Sequence, residues 1–497
     1  MANAQGPRGP GDPSHGAPPE VRETHISLLV FVGDRVYKLR KAVDLGFVDF
    51  REEAAREADC RREVELNSRL APDVYLGVAS VIDFDETVAH LVVMRRLPEE
   101  RSLAALVAAG AARREDVEQV ARVLAAFHGR AERSPEISAA GTRGAIRARL
   151  ERLFEGLDGF VGPIIEADDA AEVRRLVASY LDGRAALFEK RVRDGRIVDG
   201  HGDLQAADIF CMPDGPRVLD CIEFDDRLRH LDVLDDVAFL VMDLERLGAG
   251  ELAEALVSRY AALTGDRFAL SLLDFYVAGR ALVRCLVACV RSSQTTGEPS
   301  ARAAAAARLL HGACRRHLEA ATVRLVAVGG LPGTGKSTLA AALAGDSATL
   351  LVSDEIRREL RGAPGAEPSG DRYSEEATAE VYRVMLERAG RALSLGESVV
   401  LDATWRDAGQ REQLRELARH AAGGLTELCC TCPADLAIGR IEQRMARAAG
   451  PSEATPAVRR LLEQRFDAWP EATEIDTSTR LADSLAAARA ASVRWGK

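Results

Sequence analysis

Apolar and polar residues alternate through His25–Arg40 on either side of Gly33-Asp34, and a period of two around a turn pair predicts a β-hairpin. Glu52–Leu70 is charged, with its apolar residues at helical spacing, and predicts a helix. Val74–Val81 and Val88–Arg95 return to strand character. From Leu103 to Ala320 the spacing is mostly helical, broken by a β-rich patch over Ile197–Phe224. This order predicts a small β-dominated lobe followed by a larger helical one.

The pattern changes near Thr322. Val323–Gly329 is a short continuous apolar run, followed by a Gly-rich turn and an Ala/Leu helix. Thr349–Ser353, Ser398–Asp402 and Leu425–Cys430 are further such runs, alternating with helices. Strands buried on both faces read this way, so the segment predicts a parallel sheet with helices on either side. The predicted organisation is a disordered tail over 1–20, a β lobe over 21–96, a helical lobe over 97–320 and an α/β domain over 321–497. Leu270–Val290 is apolar enough to raise a membrane span, but Asp274, Arg280 and Arg284 interrupt it and favour a buried helix.

Composition narrows the class. The 497 residues are 47% hydrophobic and 29% charged, which excludes collagen-like and wholly disordered chains. The net charge of −11 argues against wrapping nucleic acid or coating an anionic membrane. No charged, apolar leader opens the chain, and nine scattered cysteines read as reduced thiols, so a cytoplasmic location is expected. Cys285, Cys289, Cys314 and His311 leave two readings open, packed thiols or a zinc site. Only five of the 66 basic residues are lysine, so Lys38 and Lys336 stand out as positions where a compact ammonium serves and a guanidinium does not.

Gly330-Leu-Pro-Gly-Thr-Gly-Lys336-Ser337 matches G-x-x-x-x-G-K-[ST] between a buried strand and a helix. Glycines let successive N–H groups face a phosphate, and the following helix adds the positive end of its dipole. Gly330, Gly333, Thr334, Gly335, Lys336, Ser337 and Thr338 are therefore candidate ATP contacts, with Ser337 on Mg²⁺. Asp354-Glu-Ile-Arg357 has two readings: a base for an acceptor hydroxyl with Arg357 clamping its anionic group, or a helix-capping Asp beside a solvated Arg. Asp402 ends Val399-Val-Leu-Asp, where a carboxylate holds Mg²⁺ or its water. Arg440, Arg444 and Arg447 precede Ala448–Pro456, a candidate lid whose arginine, Arg444 above all, would neutralise the moving phosphoryl group. From about Ala321 the chain resembles the small P-loop kinases that act on small molecules or polynucleotide ends, in Gly330–Thr338, Ser353-Asp354-x-x-Arg357 and Val400-Leu-Asp402-Ala-Thr404. Relatives use the Asp of that turn to activate the acceptor. The further motifs of an AAA+ motor are missing.

His201-Gly-Asp203-Leu-Gln-Ala-Ala-Asp208, followed by Ile222-Glu223-Phe224-Asp225, resembles the catalytic loop and metal segment of the aminoglycoside phosphotransferase family, which has the protein-kinase-like fold. The resemblance implies Asp203 as the base, and Asp208 and Glu223 as Mg²⁺ ligands. His201 would tie the loop down or be a core histidine. Lys38 would bind phosphate and pair with Glu63, or with Glu65. Met94-Arg-Arg-Leu97 would be the hinge between lobes, and Leu124-Ala-Ala-Phe-His128 resembles a family helix. Two positions depart from the family: Asp208 replaces its Asn and Glu223 its Asp, and an added carboxylate beside Asp203 raises one of their pKa values. No G-x-G-x-x-G is present, so a shorter loop around Thr24-His25-Ile-Ser27 would cover the phosphates.

The whole chain resembles bacterial proteins that join an aminoglycoside-phosphotransferase-like domain to a P-loop kinase domain. That implies a bilobal kinase-like fold followed by a parallel α/β sandwich. It also implies an ATP- and Mg²⁺-dependent kinase with a small-molecule hydroxyl acceptor and no membrane. Two other readings remain: a non-catalytic ATP-sensing N-terminal module, and action on nucleic-acid 5′-hydroxyl ends, which the net charge disfavours.

Overall fold

The computed structural model describes residues 20–23, 26–43, 49–83, 86–345, 347–360, 374–446 and 455–491. The expected tail up to residue 19, Thr24 and His25 of the expected phosphate cover, Arg447, and residues 448–454 of the expected lid lie outside the described residues.

The chain begins with β1 (Glu20–Glu23), β2 (Ser27–Val32), β3 (Arg35–Arg40), α1 (Glu53–Asn67), β4 (Tyr75–Asp83), β5 (Glu86–Arg95), α2 (Leu103–Ala108), α3 (Arg114–Arg130) and α4 (Pro135–Ala139). Next come α5 (Arg143–Leu157), α6 (Ala167–Gly183), α7 (Ala185–Arg193), β6 (Ile197–Asp199), β7 (Ile209–Met212), β8 (Gly215–Val218) and β9 (His230–Asp232). Four helices follow: α8 (Val233–Arg246), α9 (Gly250–Thr264), α10 (Leu270–Gln294) and α11 (Gly297–Ala321). The α/β part opens with β10 (Arg324–Gly329), α12 (Lys336–Ala344), β11 (Ala348–Val352), α13 (Ser353–Leu360), α14 (Glu375–Ser394) and β12 (Ser398–Asp402). It closes with α15 (Ala408–His420), β13 (Gly424–Thr431), α16 (Ala434–Ala446), α17 (Pro456–Glu463), β14 (Thr473–Asp476) and α18 (Leu481–Ala491). Contacts divide the chain into two compact units, Met1–Ala140 with Ile197–Asp266, and Gly141–Arg196 with Arg267–Lys497. Ala321 falls inside the second.

In the first unit an antiparallel sheet has the order β1-β2-β3-β5-β4. Gly33 at φ +58 makes the turn that pairs Val32 with Arg35, the hairpin expected from the alternation. Cys60 of α1 packs with Val74, Tyr75, Val92, Leu97 and Leu219 into one buried cluster, which fixes α1 against the sheet. The β-rich patch forms two small antiparallel pairs, β6 with β9 and β7 with β8. Between Val233 and Leu244 every residue of α8 is buried, including Asp235, Asp236 and Asp243, so these acids need internal partners.

In the second unit the sheet is parallel, in the order β11-β12-β10-β13-β14. Leu325, Val326, Ala327, Val328, Val399, Val400 and Leu401 are all fully buried, as strands covered on both faces require. The register sets Asp402 opposite both Val328 and Val352, so the ends of the three strands carrying the expected chemistry lie side by side. Ligands of open parallel sheets bind at such carboxyl ends. Helices α10 and α11 pack along each other. Asp274 of α10 accepts from His317 Nδ1 at 2.8 Å, and no described helix is long and apolar enough to cross a membrane. Cys285, Cys289 and Cys314 are buried thiols, and Cys285 donates to the Ala307 carbonyl at 3.3 Å. Among the described residues their ligand atoms do not converge with that of His311 on one point; Asp59, Glu63 and Glu223 do.

Leu339, on α12 beneath the glycine loop, is 1% exposed among Val326, Val328, Leu343 and Val400. Leu339→Ala is expected to cost about 2–5 kcal/mol, read as a lower denaturant midpoint of the second unit's unfolding.

Candidate active sites

In the first unit Lys38 lies mid-strand in β3, between Leu29 and Val92 of its neighbours. Its ammonium donates to Glu63 Oε1 at 2.7 Å and Asp220 Oδ1 at 2.9 Å. Burial opposes its charge, but Asp220 and Glu63 outweigh that and hold its pKa well above the ordinary lysine value. Glu63 is wholly buried, whereas Glu65 faces outward and pairs with Arg62, so the two alternatives separate. Two residues along the strand, buried Arg40 gathers Asp59, Glu63 and Glu223. Glu223 is thus bound to a guanidinium. Burial, reinforced by the Glu63 charge, pushes its pKa up to about 7.

Asp220 is the acid that meets Lys38, and sequence pattern does not single it out. It follows β8 in a left-handed conformation, φ +63, which turns the chain sharply after Leu219. Its charge also reaches Asp208, whose pKa is raised well above normal by burial first, then by Asp220 and Asp203. Asp208 and Asp220 act on each other beside the Lys38 ammonium, and carboxylate oxygens are the hard donors a divalent cation takes. Asp208 and Asp220 would hold Mg²⁺ there, while Glu223, engaged by Arg40, converges with Asp59 and Glu63.

A second carboxylate positions the loop. Asp236 accepts from the backbone N–H of His201 at 2.8 Å and of Gly202 at 3.0 Å, and from His128 Nε2 at 3.1 Å. Burial would raise its pKa, but these hydrogen bonds and the nearby histidines outweigh it and hold the pKa below normal. Gly200 must be glycine here, because a Cβ would sit 2.6 Å from Asp236 Oδ2. His201, itself buried, donates through Nε2 to the Leu219 carbonyl at 2.9 Å and accepts from Asp203 N–H at 3.3 Å. It therefore ties the Asp203 loop to the residue before Asp220. Gln205 Nε2 donates to Asp203 Oδ2 at 2.8 Å.

In the second unit Gly330 has φ +132 and Gly333 φ +84; a Cβ would meet the Cys430 carbonyl at 2.6 Å and the Ala437 carbonyl at 2.4 Å. Only glycine fits either place. No side chain caps the first turn of α12, leaving its N–H groups for an anion. Ser337 and Thr338 are exposed, while Thr334 is buried and donates to the Leu331 carbonyl at 2.8 Å. Asp402 is 2% exposed and its Oδ1 has no hydrogen-bond partner. Burial raises its pKa, opposed by Lys336 and a hydrogen bond from Ser337, and Asp354 adds its repulsion. Asp402, Ser337, Lys336 and Asp354 are thus gathered, and the orphaned oxygen beside a hydroxyl fits Mg²⁺ or its water.

Arg357 follows Asp354 by one turn, and its charge acts on the buried Tyr382 hydroxyl, which accepts from Trp405 N–H at 3.0 Å. Arg440 lies beside the loop, with Arg444 one turn further along α16. Arg440 Nη2 donates to the Thr477 carbonyl at 2.8 Å, and its buried Nη1, without a partner, stands 3.4 Å from where a Cβ on Gly335 would lie. Arg459 donates to the Pro332 carbonyl at 2.7 Å. Arg459 and Thr477 come from distant segments with no local pattern to mark them.

Asp236→Asn is expected to lower stability by about 2–4 kcal/mol at pH 7. A carboxyl with a depressed folded pKa stabilises above its unfolded value, 3.8, and that contribution is lost as pH falls below it. Urea titrations at pH 7 and pH 3 should therefore show the variant losing less on acidification than the wild type.

A family model for an AAA domain matches residues 325–469. An uncharacterised protein of Mycobacterium tuberculosis is 42% identical over 467 residues, 92% of each chain. The structure of a choline/ethanolamine kinase family protein from Mesorhizobium loti is similar at 16% identity and TM-score 0.38, over 62% of this chain and 93% of that one. A sugar kinase from a Janibacter species is similar at 20% identity and TM-score 0.27, over 34% of this chain and 94% of that one. With that mycobacterial relative matched almost end to end, the chain belongs to one family with it, and residues 325–469 carry the AAA-domain match.

Proposed function

We propose that both domains transfer the γ-phosphoryl group of ATP to a hydroxyl of a small-molecule acceptor. The observation that carries this is the gathering of Lys336, Ser337 and the orphaned oxygen of Asp402 at a loop that only glycine can build. In the second unit the loop N–H groups and Lys336 hold the phosphates, and Ser337 and Asp402 hold Mg²⁺. Asp354 takes the acceptor proton, and Arg357 clamps an anionic group of the acceptor. Arg440 lies against the loop to neutralise charge. In the first unit Lys38 holds phosphate, Asp208 and Asp220 hold Mg²⁺, and Asp203 takes the proton. The cation, when bound, neutralises charge on the phosphates. A second reading, a nucleotide-sensing first unit, is favoured by Glu223 being bound to Arg40.

Screening hydroxyl compounds for ATP-dependent ADP release should yield an acceptor for each domain. Asp354→Asn and Asp203→Asn should each lower kcat for one acceptor by about 10²–10⁴-fold and leave the other unchanged. No acceptor sensitive to Asp203→Asn selects the sensing reading, and insensitivity to Asp354→Asn overturns the assignment of the base.

A further inference from the structure

At the amino ends of β10 and β13, within the second unit, lies a cavity of about 930 Å³, within the range of small-molecule sites. It stands at the opposite end of β10 from the glycine loop, roughly 20 Å away along the six residues of that strand. Leu176, Leu318, Val323 and Leu425 supply apolar wall, and the remaining lining is rich in charge.

That charge does not balance internally. Glu172 pairs with Arg175 at 2.7 Å, and Glu319 with Arg315 at 3.1 Å. Glu427 and Glu471 both pair with Arg415, at 2.8 and 2.9 Å, and Arg419 pairs with Glu412 at 2.9 Å. Arg184, which lies 5.7 Å over the Tyr180 ring, and Arg324 have no such pair, and since Glu427 and Glu471 share one guanidinium the lining holds one positive charge in excess. Among the described residues neither has a carboxylate partner. Arg324 donates only to the Thr322 and Glu319 carbonyls, at 3.0 and 3.1 Å. Arg184 is 1% exposed, donates from Nη1 to the Gly183 and Ala421 carbonyls, and its Nε has no partner. Burial lowers the pKa of both guanidiniums, that of Arg184 to about 10, which leaves Arg184 charged at neutral pH. A guanidinium withdrawn from water without a counter-ion is costly, and an anion in the cavity would remove that cost.

We propose that this cavity binds a small phosphate-bearing ligand, its anionic group held by Arg184 and Arg324 and any apolar body set against the leucine wall. It is a second ligand site, distinct from the nucleotide sites. The full chain, saturated with Mg²⁺ and a non-hydrolysable ATP analogue so that the nucleotide sites are filled, is titrated with inorganic phosphate while Tm is followed. Wild type and Lys336→Ala should both show a phosphate-dependent rise. Arg324→Gln, a half-buried position that need not disturb folding, should weaken binding by about tenfold or more, and Arg184→Gln likewise if it folds. Phenyl phosphate binding more tightly than inorganic phosphate identifies an ester as the ligand, and equal binding identifies the free anion. No rise in wild type, a rise untouched by Arg324→Gln, or one abolished by Lys336→Ala overturns the proposal.

Discussion

A lysine ammonium drawn out of water must be met by carboxylates, and much of the first unit follows from meeting Lys38. Its side chain is 12% exposed and its two partners come from different parts of the chain, Glu63 on α1 and Asp220 after β8. Glu63 reaches it because Cys60 and Val64 pack α1 onto the sheet. Asp220 reaches it because the backbone turns through a left-handed conformation there. Arg40 then engages Asp59 and Glu223 together with Glu63 and offsets part of their charge. Removing one partner of such a buried set strands a charge, at about 3–5 kcal/mol.

The second unit solves the same problem with backbone. Lys336 opens α12, and the surrounding glycines, at φ values closed to other residues, set the N–H groups around one point. Distant segments brace this loop through carbonyls: Arg459 on Pro332, and Thr477 on Thr334. The first unit fixes its Asp203 loop differently, by aiming backbone N–H groups at one buried carboxylate, Asp236. In both, side chains far away in sequence hold the loop in place.

Local chemistry was legible and long-range completion was not. The Gly33-Asp34 hairpin, helix α1, the glycine loop and strands β10 to β13 all carry period or motif within a few residues. Strand β14, Thr-Glu-Ile-Asp, buries only Ile475, so it has no apolar run to betray it. Strand β1, Glu-Val-Arg-Glu, is exposed throughout at a sheet edge. Asp220 stands in Asp-Cys-Ile-Glu-Phe-Asp, where three acids in six residues compete, and the resemblance alone pointed to Glu223. Only the turn at Asp220 and the presence of Arg40 separate them. Asp236 reads as one more acid on a helix, and its burial is a fact of packing alone.

Central to this account is that each unit holds its own nucleotide. Calorimetric titration of a non-hydrolysable ATP analogue with Mg²⁺ into the full chain and into Lys336→Ala tests it directly. The account predicts two sites falling to one. One site falling to none would contradict it, leaving the Lys38 cluster a structural knot of charge with no nucleotide to bind.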